Sequence, residues 1–280
     1  MKHKGTPKAI LLNVLKWIFL LIFLVYTLFP LIWLFISSFK TNAEFIANPF
    51  SLPAVWQWQN YVNAIKTSKI FSLYGNSVII SVVATATNII VACMISYCIS
   101  RFRFKGRELI FTLFAAGILV PLYALMVPYF KMMTSLKLTD THLGLILVYT
   151  AIGLPISTFI IRGFMDTIPI DMEEAAIIDG CSFYRRFTAI IFPLSRTGIV
   201  TAGTFQFITC WNEYVYAMLL TSSPKVRTVQ LGIKFFTNQF SVDYVSMFAA
   251  IVLSIIPSII AYILFQEQII SGLTSGAVKG

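Results

Sequence analysis

Six runs of apolar residues, each about twenty long, alternate with more polar segments along the chain. They cover approximately residues 14–36, 74–99, 109–130, 143–161, 198–220 and 247–266. Coiled as helices, runs of that length match the hydrocarbon thickness of a bilayer. Helices are required there, because backbone groups in hydrocarbon must be satisfied within their own segment. The pattern predicts an all-α, polytopic membrane protein with six transmembrane helices, a single transmembrane domain over 1–280. Lys2, Lys4 and Lys8 precede the first run, as in a signal peptide. The run is too long for an h-region, however, and no A-x-A site follows Ile36, so it reads as a retained anchor.

Composition agrees. The chain is 58% hydrophobic and only 11% charged over 280 residues, where a soluble domain carries about a quarter charged residues. No separate soluble domain is expected. The net charge of +10 raises nucleic acid as a partner, but the basic residues sit in loops beside spans and form no recognisable binding motif. Thirteen of the 21 lie on one side, in the N-terminus, the 100–108 loop, the 162–197 loop and Lys279. Four of them (Arg101, Arg103, Lys105 and Arg107) crowd into seven positions. The positive-inside rule then places both termini and the 162–197 loop in the cytoplasm.

Several chemistries are excluded. Cys93, Cys98, Cys181 and Cys210 are dispersed, with no CxxC or Cys/His pairing, so neither a disulfide framework nor a metal site is indicated. No G-x-x-x-x-G-K-[ST] loop exists to cradle ATP phosphates. The two histidines, His3 and His142, accompany no nucleophile or acid in a catalytic arrangement. An enzyme is not expected, and no cofactor is expected on this chain.

The 162–197 loop is the most ordered polar segment. Asp171 and Glu174 have the D-x-x-E spacing of a capping box, predicting a helix start. Met172, Ala175, Ala176 and Ile178 give that helix a small, apolar surface. Gly180 stands where a left-handed residue ends the helix, and Ser182 where a hydroxyl caps the next. A compact helix-turn-helix projecting from the membrane follows.

These residues resemble the EAA loop of permease subunits in binding-protein-dependent ABC importers. Glu174, Ala175, Ala176, Asp179, Gly180, Ile190 and Pro193 fall on the family pattern. Phe192 stands where Leu is commoner, Cys181 where Ala is, and Thr197 where a second proline often occurs. The ending Gly272-Leu273-Thr274-Ser275-Gly276-Ala277-Val278-Lys279-Gly280 is similar to the GLTxGAVKG tail of maltose-transporter-type permeases, the second permease of many sugar importers. With Trp211-Asn212-Glu213 the likeness covers essentially the whole chain.

The resemblance implies a type I ABC importer permease fold in a bacterial or archaeal cytoplasmic membrane. It implies a second, distinct permease, two ATP-binding subunits that hold ATP and Mg, an extracellular or periplasmic solute-binding protein, and a carbohydrate substrate. It assigns ATPase coupling to Glu174, Ala175, Ala176, Asp179, Gly180 and Pro193. The tail over about 267–280, with Gly276 and Lys279, is either a loose end or a segment reaching between the ATPase subunits. The external segment 37–73, with Pro49, Pro53, Trp56, Trp58, Asn60 and Tyr61, reads as an interfacial belt or as part of a binding-protein seat. Its prolines oppose a regular helix.

Polar residues inside the spans are costly and mark candidate function. Glu213 is the one acidic residue well inside a run, and Gln206, Thr209 and Glu213 at i, i+3 and i+7 are expected on one helix face. With Asn88 and Asn212 they form the candidate translocation pathway. The same groups can instead bond helix to helix. Pro121, Pro128, Pro155 and Pro257 are expected to kink their spans. An alternative architecture, a self-sufficient secondary carrier, would place ion coupling on Glu213.

Overall fold

The computed structural model describes residues 7–68, 70–236 and 243–277, and all regular structure among them is helical. Lys2, Lys4 and Lys279 lie outside the described residues. The chain divides into two compact units, Met1–Ser68 with Ile233–Leu253, and Lys69–Gly232 with Ser254–Gly280.

In the first unit, α1 (Pro7–Ser37) is apolar all round and almost wholly exposed, as expected of a helix whose solvent is lipid. Two short helices follow, α2 (Asn42–Ala47) and α3 (Gln59–Ser68), flanking the irregular stretch that holds Pro49 and Pro53. The prolines interrupt helix locally rather than across the whole segment. Thr41 and Glu44 close a full capping box at the start of α2. Lys40 is completely buried, its ammonium donating to the carbonyls of Asn48 (3.1 Å) and Pro49 (2.9 Å). The ring of Phe39 sits among Phe35, Trp56, Trp58 and Tyr61, with centroids 4.7–5.2 Å away.

The second unit is built on three long helices: α4 (Ile70–Arg101), α7 (His142–Met165) and α11 (Arg196–Asn212). Between α4 and α7 lie α5 (Arg107–Gly117) and α6 (Met126–Ser135). Between α7 and α11 come α8 (Asp171–Ile178), α9 (Phe183–Arg186) and α10 (Phe192–Leu194). Two short helices, α12 (Val215–Leu220) and α13 (Val229–Gly232), complete it. The helix α14 (Tyr244–Ala277) begins in the first unit and continues in the second.

Helices α4 and α7 run parallel and are laced together. Asn88 donates to the Thr150 carbonyl (2.8 Å) and, eight residues on in both helices, Ser96 donates to the Thr158 carbonyl (3.2 Å). Small residues let the backbones approach: Ala84, Ala92, Ser96, Ser157 and Ala202 are buried. Gly153 of α7 abuts the side chain of Gln206, and Gly198 of α11 abuts the ring of Phe164.

Among the described residues, four helices are long and apolar enough to cross a membrane: Ala9–Ser37, Ile70–Arg101, His142–Met165 and Tyr244–Glu267. The 109–130 run is not one straight helix. It bends by 100° between Gly117 and Leu122, and counts as a fifth span only if the bent pair is one. Pro121 explains the break, since it disfavours helical backbone at Val120 and has no N–H to give. Pro128 causes no kink, because it lies in the first turn of α6. Pro155 and Pro257 are carried inside continuous helices. The 198–220 run is α11, 17 residues long, then a break at Glu213, then α12. The expected tail is helical as far as Ala277, and Gly276 lies inside α14.

Candidate functional site

The loop after α7 folds as two short helices around a glycine turn, but its start differs from expectation. Asp171 and Glu174 form no capping box. Ile170 is already helical, so Asp171 lies inside α8 instead of before it, and the amides of Glu173 and Glu174 both bond the Ile170 carbonyl (2.8 and 3.0 Å). The end of α8 is as expected. Gly180 has φ +76°, the Cys181 amide reaches back to the Ala176 carbonyl (2.9 Å), and the Gly180 amide to that of Ile177 (3.0 Å). This is a Schellman turn, for which a residue without Cβ is best suited. Ser182 then caps α9 by accepting from the Arg185 amide (3.4 Å).

Beyond α9 the chain widens into one π turn, Phe187–Ile191, where the Phe192 amide bonds the Phe187 carbonyl five residues back. Pro193 follows directly in α10. A proline cannot complete the i→i−4 ladder and its ring crowds the carbonyl one turn before, so a wider turn relieves both demands.

Glu174, Ala175, Asp179, Gly180 and Pro193 are exposed, whereas Ala176 is buried beneath them. Their apolar neighbours Met172, Ile177 and Ile178 are exposed too, Ile178 to 86%. The loop thus presents a small, mixed apolar and acidic surface around a rigid turn.

What holds it in place is Glu173, which the motif reading passes over. The residue is only 4% exposed. Its carboxylate Oε1 accepts from the Tyr97 hydroxyl (2.5 Å) and Arg186 Nη1 (3.4 Å), and Oε2 lies 3.4 Å from Arg101 Nε. Arg101 Nη2 also donates to the carbonyls of Met165 (3.0 Å), at the negative end of α7, and of Ile168 (2.9 Å) in the turn after it. Glu173 stands at i, i+3 to Ala176, so the two share the buried face of α8, and that spacing was the available signal. A second charged group ties α5 to α7: Arg162 lies 3.5 Å from Glu108 and 3.4 Å from Asp166, with its guanidinium 3.6 Å from the Phe111 ring centre.

The candidate pathway residues fall into two groups. Asn88 and Gln206 are buried, and Gln206 donates to the Tyr149 carbonyl (2.9 Å) and Cys210 Sγ (3.2 Å). Thr209 and Asn212 are exposed and bond back to their own helix, at the carbonyls of Phe205 (2.8 Å) and Ile208 (3.0 Å). Gln206, Thr209 and Glu213 do not share a helix face, because α11 ends at Asn212 and Glu213 is extended (ψ 125°). The Glu213 carboxylate accepts from the amides of Tyr216 (2.8 Å) and Ala217 (3.0 Å) and from the Tyr149 hydroxyl (2.8 Å). It opens α12 and bonds that helix to α7, a helix-start role for which carboxylates are suited.

At the opposite end of these helices from the α8 loop, Asn76 donates to the carbonyls of Lys225 and Arg227 (both 2.9 Å) and meets His142 (2.9 Å). Asp140, at φ +58°, accepts from the amides of Ser222 and Ser223 (both 2.9 Å). Those amides hold its carboxyl below the usual range.

Residues 88–273 match the model of the binding-protein-dependent transport system inner membrane component family. The chain is 36% identical over 257 residues to the trehalose/maltose transport system permease protein MalG of Thermococcus litoralis, covering 90% of this chain and 92% of that one. It is 35% identical over 267 residues to the sulfoquinovosyl glycerol transport system permease protein SmoH of Agrobacterium fabrum, covering 95% and 94%. A solved bacterial ABC transporter involved in the import of the acidic polysaccharide alginate contains a chain of the same fold, with TM-score 0.84 and 23% identity over 94% of this chain and 98% of that one. Its several apolar helices, the glycine turn closing α8 and these likenesses together establish that the chain is a multi-pass membrane protein belonging to the binding-protein-dependent transport system inner membrane component family.

Proposed function

We propose that this chain is one permease half of an ATP-driven ABC importer for a carbohydrate, an oligosaccharide or sugar derivative. It works with a second, distinct permease, two ATP-binding subunits and a binding protein outside the membrane. The carrying observation is the α8–α9 turn: an exposed surface of Glu174, Ala175, Asp179 and Gly180 over a buried, ion-paired base. Such a surface can seat an ATPase, whose closure on ATP and Mg would favour one arrangement of the spans over another by its differential docking energy.

With the basic 100–108 loop on the same side, the termini and α8 face the cytoplasm. A sugar is the substrate class because curated relatives are named for trehalose/maltose and sulfoquinovosyl glycerol transport. In this reading Thr209 and Asn212, polar and exposed on α11, line the route. Asn88 and Gln206 hold the helices around it. A secondary carrier built on Glu213 is less well supported, since three donors already engage that carboxylate.

The test is purification of the tagged chain from its native membrane in mild detergent, followed by mass spectrometry and ATP-dependent sugar uptake in vesicles. Recovery of an ATP-binding subunit and a second permease is the expected result. A stable chain that purifies alone and transports without ATP would overturn the reading.

A further inference from the structure

A docking surface transmits force only if it is fixed to what must move. Apolar packing beneath α8 is thin, for only Glu173 and Ala176 are buried on that helix. An alanine methyl offers little grip, so the attachment is chiefly electrostatic. The Glu173 carboxylate joins α8 to Tyr97 and Arg101 of α4, to Arg186 of α9 and, through Arg101, to the last carbonyl of α7, at Met165, and that of Ile168 in the turn after it. Around it the Tyr97 ring packs on Phe102, Phe183 and Phe187, with centroids 5.7, 5.5 and 5.0 Å apart. Tyr97 and Glu173 are themselves buried, and that low-dielectric setting strengthens each charge interaction they make. Two guanidinium groups meet one carboxylate, and the carbonyl end of α7 supplies the remaining negative potential.

We infer that Glu173 is a positioning residue for coupling: it clamps α8 to α4 and α7, so that a displacement imposed on the exposed face of α8 moves those spans rather than bending the loop. The exposed residues make the outside contact, and Glu173 carries it inward. The inference rests on the proposed role of α8 as an ATPase seat.

The test uses the complete transporter, purified with its ATPase and partner permease and placed in vesicles with its binding protein. Solute transported per ATP hydrolysed is the readout. Glu173→Gln keeps the shape and removes the charge. It is expected to assemble and hydrolyse ATP within about twofold of the parent while transport per ATP falls roughly tenfold. The exchange Glu173→Arg with Arg186→Glu keeps one carboxylate and two guanidiniums in the node, and is expected to recover transport per ATP to within about threefold. An unchanged ratio in Glu173→Gln overturns the clamp, as does a double variant no better than the single, which would assign the loss to packing.

Should Glu173→Gln fail to assemble, Tyr97→Phe decides, since it deletes only one hydroxyl. A ratio reduced about threefold then supports the clamp and an unchanged one overturns it. A parent transporter that neither binds an ATPase nor uses ATP would instead refute the function on which the clamp depends.

Discussion

Replacing Gly153 by alanine tests the packing of the second unit. A Cβ built there overlaps Oε1 and Cδ of Gln206 and lies 2.7 Å from its Nε2. Gln206 is 2% exposed, so its amide cannot swing into solvent. To make room it must give up its bonds to the Tyr149 carbonyl and Cys210 Sγ. Stranding a buried amide costs about 1–3 kcal/mol, and forcing a methyl into a full core costs about as much again. Partial relaxation leaves an expected loss of roughly 2–4 kcal/mol, or roughly 5–10 °C in thermal midpoint for a domain of this size. The same substitution at Gly163, on the same helix, meets nothing within 4 Å and should be neutral or slightly stabilising, by up to about 1 kcal/mol. Thermal unfolding of the detergent-purified protein, followed by loss of the monodisperse chromatographic peak, compares the two. Adding Gln206→Ala to Gly153→Ala should recover much of the loss, because the obstruction is gone. A Gly153→Ala midpoint equal to that of Gly163→Ala would refute the argument.

Gly180→Ala places a Cβ in the left-handed region at φ +76°, costing about 1–2 kcal/mol at the turn, while Gly180→Asn should cost less. Gly180→Trp, in the open space around that turn, should insert normally in the membrane yet abolish sugar-stimulated ATP hydrolysis; unchanged stimulation speaks against the docking role of α8. Glu213→Gln turns one of the two acceptor oxygens into a donor, set against the Tyr216 amide at Oε1 or the Ala217 amide at Oε2, and should destabilise the protein by about 1–3 kcal/mol, seen as earlier proteolysis near α12. For Asp140, whose folded carboxyl titrates below its ordinary value, the stabilising contribution is present above the unfolded pKa and disappears as pH falls through the lower folded one. Asp140→Asn should therefore reduce the acid sensitivity of thermal stability; an identical pH profile would remove Asp140 from the account.

Sequence alone determined the helical class, the membrane setting and the glycine turn. Those depend on local demands: twenty apolar residues must coil in lipid, and a left-handed residue between an EAA helix and a serine cap has few alternatives. Tertiary structure decided which polar groups face where. Glu173 and Glu174 are adjacent and identical in chemistry, yet one is buried against Arg101 and Arg186 and the other exposed, because only the inner face of α8 meets the ends of α4 and α7. Gln206 and Thr209 separate for the same reason, and Glu213 leaves the helix altogether to open α12. The failed capping box at Asp171 and the 100° bend at Pro121 likewise depend on how the chain enters each helix, which spacing does not record. A side chain's direction follows from what packs beside its helix, and that neighbour is distant in sequence: 76 positions separate Tyr97 from Glu173.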